Sequence, residues 1–430
     1  MLTRLQRLAG TIAALALLSG PVQADELVVE ITRGAEAALP IAVAEFGDDG
    51  NELPEDIGAI IRANLLRSGQ FDPLPPEEFI DNPTRSDEVR YENWRALGVD
   101  NLVIGSGSRS DDGYRVRYEL LDVYTGERLL GRSYNVGQDS LRTLAHVISD
   151  NIYEELLGRP GAFNTMMAYV AVDGEGDDRE YHLVVADADG HDPQSILSSS
   201  RPLLSPAWSP DRERLAYVSF EGRRSEIYVQ NVRSGERRAI ASFEGLNSAP
   251  SWSPDGSRLA ITLSRDGQTD VYILDVESGQ TRRVTDHFGI DTEAVWGPDG
   301  EQLYFTSDRG GSPQIYRTDI NGDSVERVTY QGNYNASPDI SPSGDRLAMV
   351  HRTDQGFRIA VQYLDSDRFE VLSDGPQDES PSFAPNGAMV VYATQQNGTG
   401  VLGTASLFGS ARNIMATEGR TLREPAWSPN

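Results

Sequence analysis

A short motif that recurs at an almost constant interval constrains this chain more than any other feature. Its fullest copy reads Trp-Ser-Pro-Asp-Gly, at residues 252–256. The large apolar position of the motif occurs six times, at Trp208, Trp252, Trp296, Ile340, Phe383 and Trp427. The successive intervals are 44, 44, 44, 43 and 44 residues. A constant period of about 40 to 45 residues is typical of β-propeller blades, each built from four short strands.

Each repeat contains the residues that a blade needs. The aromatic side chain stands near the end of one strand, where it can bury a large area between neighbouring blades. Proline then removes a hydrogen-bond donor and ends the strand, and Asp-Gly or Asn-Gly forms the tight turn. We therefore interpret the tryptophans as structural and assign them no chemistry.

The two ends of the repeat region predict the number of blades. Residues 168–172 match a second strand but have no Trp unit before them, whereas the last unit, Pro425–Pro429, has no strand after it. Joined together, these fragments make one blade and remove the free edges of the ring. The sequence therefore predicts an all-β six-bladed β-propeller over residues 161–430.

Residues 25–160 lack the repeat and are predicted to form an N-terminal α/β domain. The expected elements are a buried strand at 41–46, helices at 54–68 and 88–97, a strand at 102–105, and a hairpin that joins 114–123 to 127–136. A final helix should begin at an Asp139 cap and end at Gly158. The segment 158–161 then links this domain to the propeller.

Residues 1–24 have the pattern of a secretory signal peptide. Arg4 and Arg7 precede a short apolar run at Leu8–Leu18, and a small residue, Ala24, ends the segment. Cleavage is predicted after Ala24. The alternative is a membrane anchor, but the run is shorter than the roughly 20 residues that a spanning helix needs.

Charge and cysteine usage exclude several classes of function. The formal charge is −28, and removing residues 1–24 takes away two arginines and no acid, which brings it to −30. Such an acidic chain is a poor partner for nucleic acid or for anionic lipid. Cysteine is absent, so the chain offers no disulfide, thiol nucleophile or thiolate metal site.

No residue pattern in the sequence is typical of a catalytic or metal site. The histidines lack the spacing of a helical zinc site, and no serine has glycine at both −2 and +2, as a nucleophile elbow requires. We predict no catalytic residue, no metal and no cofactor. A periplasmic propeller hydrolase or lyase is the alternative function, and a scaffold for some other envelope protein or glycan is another.

Several parts of the chain together resemble the TolB family: the signal peptide, the α/β domain, the junction Gly158–Phe163, the Trp-Ser-Pro-Asp-Gly units and the terminal Pro425–Pro429. The resemblance covers the whole mature chain. It implies a monomeric, non-enzymatic periplasmic adaptor of the Tol-Pal system that supports outer-membrane integrity and invagination during cell division. In this family the lipoprotein Pal covers one mouth of the propeller channel, TolA binds the mature N-terminal segment, and some bacteriocins use the same surface.

The resemblance also implies which residues contact Pal. In a propeller, the loop that leads into each innermost strand opens on one face beside the channel. The expected Pal-binding residues are Leu204, Ser205, Leu246, Ala249, Thr292, Glu293 and Glu379. Leu246 stands where relatives carry histidine, which leaves the contacts of that loop open. The alternative for these positions is a purely structural role as turn residues.

TolA binding is implied for the segment 25–34, here called the arm. The expected TolA-binding residues are Asp25, Glu26, Leu27, Val28, Val29, Glu30 and Ile31. Leu27, Val29 and Ile31 share one face of an extended segment, so the arm could add a strand to an exposed sheet edge. The alternative is an edge strand that stays docked permanently.

Overall fold

A computed structural model describes residues 29–31, 38–48, 53–222, 224–409, 411–415 and 419–430. The predicted signal peptide, residues 1–24, lies outside this part of the chain, and so do residues 25–28 and 32–34 of the arm. Within the described part, none of the helices combines the length and the apolar character that a bilayer span requires.

The N-terminal domain is a mixed sheet with helices on both faces. After β1 (Val29–Ile31), its elements in chain order are β2 (Leu39–Val43), β3 (Gly47–Asp48), α1 (Ile57–Arg67), β4 (Phe71–Pro73), α2 (Tyr91–Ala96), β5 (Asn101–Ser110), β6 (Gly113–Asp122), β7 (Arg128–Val136) and α3 (Leu141–Leu157). The sheet order is β4-β2-β5-β6-β7, with β2 parallel to both of its neighbours. Strands β6 and β7 pair as the predicted hairpin.

Successive side chains of the central strands point to opposite faces of the sheet, so this domain has two cores. Ile41 and Val43 face α1 and α3, whereas Ala42 and Ala44 face Trp94 of α2. The Asp56 side chain caps α1 by accepting from the Ala59 amide at 2.9 Å. The predicted cap of α3 at Asp139 is wrong: Ser140 precedes the helix and Asp139 lies in a 3₁₀ turn, which begins the helical winding one turn earlier.

The propeller has six blades, which confirms the predicted fold class. Five blades follow the chain order, each with its innermost strand first. Blade 1 has β11 (Leu203–Trp208), β12 (Arg214–Ser219), β13 (Glu226–Asn231) and β14 (Arg237–Ala241). Blade 2 has β15 (Asn247–Trp252), β16 (Arg258–Leu263), β17 (Asp270–Asp275) and β18 (Thr281–Arg283). Blade 3 has β19 (Asp291–Trp296), β20 (Gln302–Ser307), β21 (Gln314–Asp319) and β22 (Val325–Arg327). Blade 4 has β23 (Asn335–Ile340), β24 (Arg346–Thr353), β25 (Gly356–Tyr363) and β26 (Phe369–Val371). Blade 5 has β27 (Glu379–Phe383), β28 (Met389–Gln396), β29 (Thr399–Ser406) and β30 (Ala411–Ile414).

The sixth, closing blade combines the two ends of the propeller sequence. It contains β8 (Met166–Asp173), β9 (Glu180–Asp187), β10 (Gln194–Ser199) and, as its innermost strand, β31 (Thr421–Trp427). Ala426 pairs with Ala168 and Trp427 with Met167. The predicted closure by the final Trp-Ser-Pro segment is therefore confirmed.

The repeat tryptophans join neighbouring blades, as the sequence predicted. Trp252 is 7% exposed and packs in a cluster that contains residues of blades 1 and 2. Its Nε1 donates across the gap to the carbonyl oxygen of Ala207 at 3.1 Å. Trp208 and Trp296 make the corresponding bonds to Ala426 and Ser251. Each indole thus fills a volume between two blades and also satisfies its own donor.

The N-terminal domain packs against turns at one face of the propeller. Antiparallel strands alternate in direction, so the turns after the first and third strands of every blade lie at the same face. Asn386, in the turn after β27, donates to Pro160 O at 3.2 Å. The Ser406 hydroxyl donates at 2.6 Å to the carbonyl oxygen of Ser68, which follows α1. Arg159, which follows α3, stacks its guanidinium group on Phe408. This face is opposite to the loops that lead into the innermost strands.

Candidate partner-binding face

All six innermost strands begin at the face opposite the N-terminal domain, and each contains the same backbone irregularity. Three residues before the repeat aromatic, a non-glycine residue has positive φ; these residues are Ser205 (51°), Ala249 (47°), Glu293 (55°), Ser337 (52°), Ser380 (53°) and Glu424 (50°). The pairing register shifts at each of these positions, as in a β-bulge. The six bulges form a ring, here called the bulge ring, around the mouth of the channel.

Residues with side chains adopt positive φ only at a cost of roughly 1–3 kcal/mol each, so the surrounding structure must hold them in place. Strained positions of this kind cluster at functional sites. The bulge ring contains the predicted Ser205, Ala249 and Glu293. Its sixth member, Glu424, was not predicted, although it has the same offset from Trp427 as Ser205 has from Trp208.

Glu293 connects blades 3 and 4. Its carboxylate accepts from Thr306 Oγ1 at 2.9 Å, from the Ser337 amide at 3.0 Å and from the Ser337 hydroxyl at 3.1 Å. These three donors hold the side chain in one position. The neighbouring Thr292 hydroxyl lies 3.3 Å from the Thr262 hydroxyl of blade 2. Thr292 and Glu293 therefore link blades 2, 3 and 4 at the channel mouth. These contacts fit a purely structural role for Glu293, and they fit a role in binding equally well.

Glu424 makes the equivalent link between the closing blade and blade 1, because its carboxylate accepts from the Ser205 amide. Burial raises the pKa of Glu424 to about 7, and the nearby Glu379 carboxylate acts in the same direction. Glu379 itself is exposed and lines a cleft of about 280 Å³ between blade 5 and the closing blade, together with Glu175, Arg179 and Arg423.

A third carboxyl group, that of Asp339, lies one residue before the repeat position Ile340. Asp339 Oδ2 accepts from the Phe383 amide of blade 5 at 2.6 Å, and burial raises the pKa of Asp339 to about 7. The Ser382 hydroxyl receives the Trp427 amide in the same way at 3.1 Å. The carboxyl groups of Glu293, Asp339 and Glu424 thus each accept a hydrogen bond from a neighbouring blade.

Four exposed apolar side chains lie beside the bulge ring on blades 2, 3 and 4. They stand in the three consecutive loops that lead into β15, β19 and β23, and we call them the apolar crest: Leu246 (38% exposed), Phe288 (80%), Ile290 (53%) and Tyr330 (71%). Only Leu246 was predicted as a site residue. The other three could have been noticed as large apolar residues in loops, where solvation favours polar ones.

The seven predicted Pal-binding positions all lie on the bulge-ring face, at the starts of innermost strands or in the loops before them. Leu246, Ala249, Thr292 and Glu293 lie together on blades 2 and 3. Leu204 and Ser205 lie on the adjacent blade 1, where Leu204 packs against the cluster around Trp252. Glu379 lies across the channel on blade 5, separated from blade 1 by the closing blade.

The described part of the arm adds a strand to the propeller edge. Strand β1 pairs antiparallel with β30, the outermost strand of blade 5, with Val29 opposite Asn413 and Ile31 opposite Ala411. Of the predicted TolA-binding residues, Val29, Glu30 and Ile31 form this strand, whereas Asp25 to Val28 lie outside the described residues. An outer strand without such a partner would present unpaired backbone groups.

Two histidine clusters have the residue types that catalytic or metal sites use. His182 lies between Ser198 Oγ (2.8 Å from Nδ1) and Asp173 Oδ2 (3.1 Å from Nε2), across three strands of the closing blade. None of these three side chains lines the cleft described above, and Ser198 lies on an exposed outer strand. His146, Asp187 and Asp189 form the second cluster, at the contact between the two domains.

Comparisons with known proteins agree with this architecture. The model described as the TolB amino-terminal domain matches residues 27–129, and that of the TolB beta propeller domain matches residues 153–430. The Tol-Pal system protein TolB of Alkalilimnicola ehrlichii is 55% identical over 98% of this chain and 100% of its own length. That of Nitrosococcus oceani is 58% identical over 96% of each chain.

A solved structure extends the similarity to three dimensions. The crystal structure of TolB from Acinetobacter baumannii is similar to this chain with a TM-score of 0.86 and 39% sequence identity, over 94% of this chain and 100% of the other. Because the propeller model alone matches more than half of the chain and the relatives match nearly all of it, the chain belongs to the TolB family of Tol-Pal system proteins.

Proposed function

We propose that this protein is a non-enzymatic periplasmic adaptor of the Tol-Pal system. It binds the lipoprotein Pal through the bulge-ring face and TolA through the arm, and it thereby supports outer-membrane integrity and invagination during cell division. The observation that carries the proposal is the apolar crest beside the bulge ring, in a chain of this family.

The crest has the chemistry of a protein-docking surface. Its four exposed side chains belong to the loops of three consecutive blades at one face of the propeller. Aromatic side chains such as Phe288 and Tyr330 are enriched at the cores of interfaces, where they lose water on docking. The polar and acidic residues of the bulge ring would form the border of such an interface, with backbone positions already fixed by the bulges.

The arm suits a switch between two states, one docked on the propeller edge and one bound to TolA. Within the described residues, its pairing with β30 is an edge contact of three residues, which a competing partner could replace. Pal can influence the arm only if it binds differently to the docked and free states, because a ligand shifts an equilibrium by its difference in affinity for the two states.

The direct test removes one crest side chain and measures affinity for Pal. We expect Phe288→Ala to weaken binding of the soluble domain of Pal roughly tenfold or more, because an exposed aromatic that becomes buried on binding is a typical hot spot. Isothermal titration calorimetry with the mature chain gives the dissociation constant.

Val371→Ala is the matched control, since Val371 is 44% exposed but lies on the outermost strand of blade 4, away from the channel mouth. It should leave the affinity unchanged. Equal affinities of the Phe288 variant and the wild type would contradict the assignment of the crest to Pal.

A further inference from the structure

The contact between the two domains contains a group of buried charges whose arrangement suggests a second property. The group, here called the domain seam, joins α1, α3 and the turn after β9: Asn64, Arg67, Arg142, His146, Asp187 and Asp189. His146 is 2% exposed and faces the propeller turn from α3. Its ring is therefore almost completely shielded from solvent while the two domains are in contact.

The hydrogen bonds of the seam determine which ring nitrogen of His146 carries the proton. Arg67 Nη2 donates to Asn64 Oδ1 at 3.2 Å, so the Asn64 amide nitrogen faces the ring, 2.9 Å from His146 Nδ1. The same amide donates to Ser149 Oγ, whose own proton goes to Ala145 O. His146 Nδ1 is therefore an acceptor, and the neutral ring carries its hydrogen on Nε2.

His146 Nε2 points at two carboxylates without bonding to either. It lies 3.8 Å from Asp187 Oδ2 and 3.8 Å from Asp189 Oδ2, and it has no hydrogen-bond partner among the described residues. Arg142 binds Asp189 and approaches Asp187 at 3.7 Å. In the closed seam Arg142 pairs with Asp189, burial raises the pKa of Asp187, and the buried imidazole is neutral.

The same geometry does not fit a metal ion. A metal on Nε2 would need the proton to be on Nδ1, where it would face the donating amide of Asn64. The guanidinium groups of Arg67 and Arg142 also adjoin the cluster and would repel a cation. A protonated ring meets the first of these obstacles as well, because its Nδ1–H would face the same amide.

We propose that the domain seam is a proton-sensitive latch, in which uptake of a proton by His146 favours separation of the N-terminal domain from the closing blade. Protonation puts a hydrogen on His146 Nδ1, where it faces the Asn64 amide, which is also a donor. It also adds a positive charge beside Arg67 and Arg142. His191, in the propeller turn, also acts on the ring. Burial raises the pKa of Asp187, which faces Nε2, and that of Asp150 on α3, whose carboxylate accepts from the Phe163 and Asn164 amides. Opening relieves these conflicts because water can then solvate the ring.

The direction of the pH dependence follows from the two states. Burial lowers the pKa of His146 in the closed seam to about 4, although Asp189 opposes this, whereas an unperturbed histidine has a pKa of about 6.5. The contribution of neutral His146 is therefore complete above pH 6.5 and is lost as the pH falls toward 4. Between pH 8 and pH 5, these values correspond to a shift of at most about 30-fold toward the open state.

Hydrogen exchange measures this shift even when the open state is rare. The mature chain is exchanged at pH 8 and at pH 5, and each rate is divided by the intrinsic amide rate at that pH. We expect protection in peptides that span 161–166 and 187–191 to fall by up to about 30-fold at pH 5. Strands β16 and β17 of blade 2 serve as the internal reference and should change less.

Two variants separate the latch from general acid sensitivity. His146→Gln should remove the pH dependence at the seam, and His146→Asn, whose Oδ1 can accept from Asn64, is the second choice if the first variant does not fold. His351→Gln is the matched control: it removes another buried histidine with a lowered pKa, on β24, and should keep the seam response. Wild-type protection that does not change between the two pH values, or an equal decrease in the His146 variants, would overturn the proposal.

Discussion

At the scale of single residues, the repeat position shows how the structure compensates for changes in side chain. In Trp208, Trp252 and Trp296 the indole Nε1 donates to a carbonyl oxygen of the preceding blade, whereas Trp427 Nε1 donates to Thr165 Oγ1. Phe383 cannot do this, and there the Asp339 carboxylate of the preceding blade accepts from the Phe383 amide instead. Neighbouring blades are thus joined by hydrogen bonds whether or not the aromatic has a donor.

Trp252 packs in the gap between blades 1 and 2. Replacing Trp252 by alanine should lower the free energy of unfolding by about 3–5 kcal/mol, because a buried aromatic is lost from the gap between two blades and the Ala207 carbonyl loses its partner. Urea unfolding followed by circular dichroism measures the change. An unfolding midpoint equal to that of the wild type would contradict this view of the blade junctions.

At the scale of elements, the bulges and the edge strands position the candidate binding residues. Each innermost strand bends at one residue with positive φ, and the loops that carry the apolar crest lead into three of these strands. The arm uses a different kind of position, the outer edge of blade 5, where β1 pairs with β30. The two proposed partner sites are therefore on different elements and can be disrupted separately.

Deleting residues 25–34 should abolish binding to TolA, because it removes the whole segment proposed to bind it, while the bulge ring and crest stay intact. Surface plasmon resonance with immobilised TolA and, separately, with Pal measures both affinities. A variant with the same ten residues in scrambled order controls for the length and charge of the segment. Retained TolA affinity, or a loss of Pal affinity as large as that of TolA, would refute the assignment.

The blade count and the closure were predictable, because one motif recurs six times at a nearly fixed spacing and each copy has the same local structure: a large apolar residue, a proline and a tight turn. Glu424 could have been found by the same offset. The crest residues Phe288, Ile290 and Tyr330 were missed because they lie in loops whose sequences do not repeat. The domain seam had no local signal at all, since Asn64, His146 and Asp189 meet only through tertiary packing.

At the scale of the whole molecule, the two faces of the propeller have different roles. The N-terminal domain contacts turns such as those at Asn386 and Phe408, on the face away from the bulge ring. Within the described residues, the apolar crest therefore stays uncovered by the rest of the chain. A partner can reach the channel mouth on blades 2, 3 and 4 without displacing the N-terminal domain.

The most direct test of this account is a hydrogen-exchange footprint of bound Pal on the intact mature chain. We expect slowed exchange in the loops and strand starts at 242–249, 286–293 and 330–337, because these carry the crest and half of the bulge ring. The Trp-Ser-Pro-Asp-Gly turns on the opposite face should exchange as they do without Pal. Protection confined to those turns, or to the N-terminal domain, would contradict the central claim that the channel mouth is the docking face.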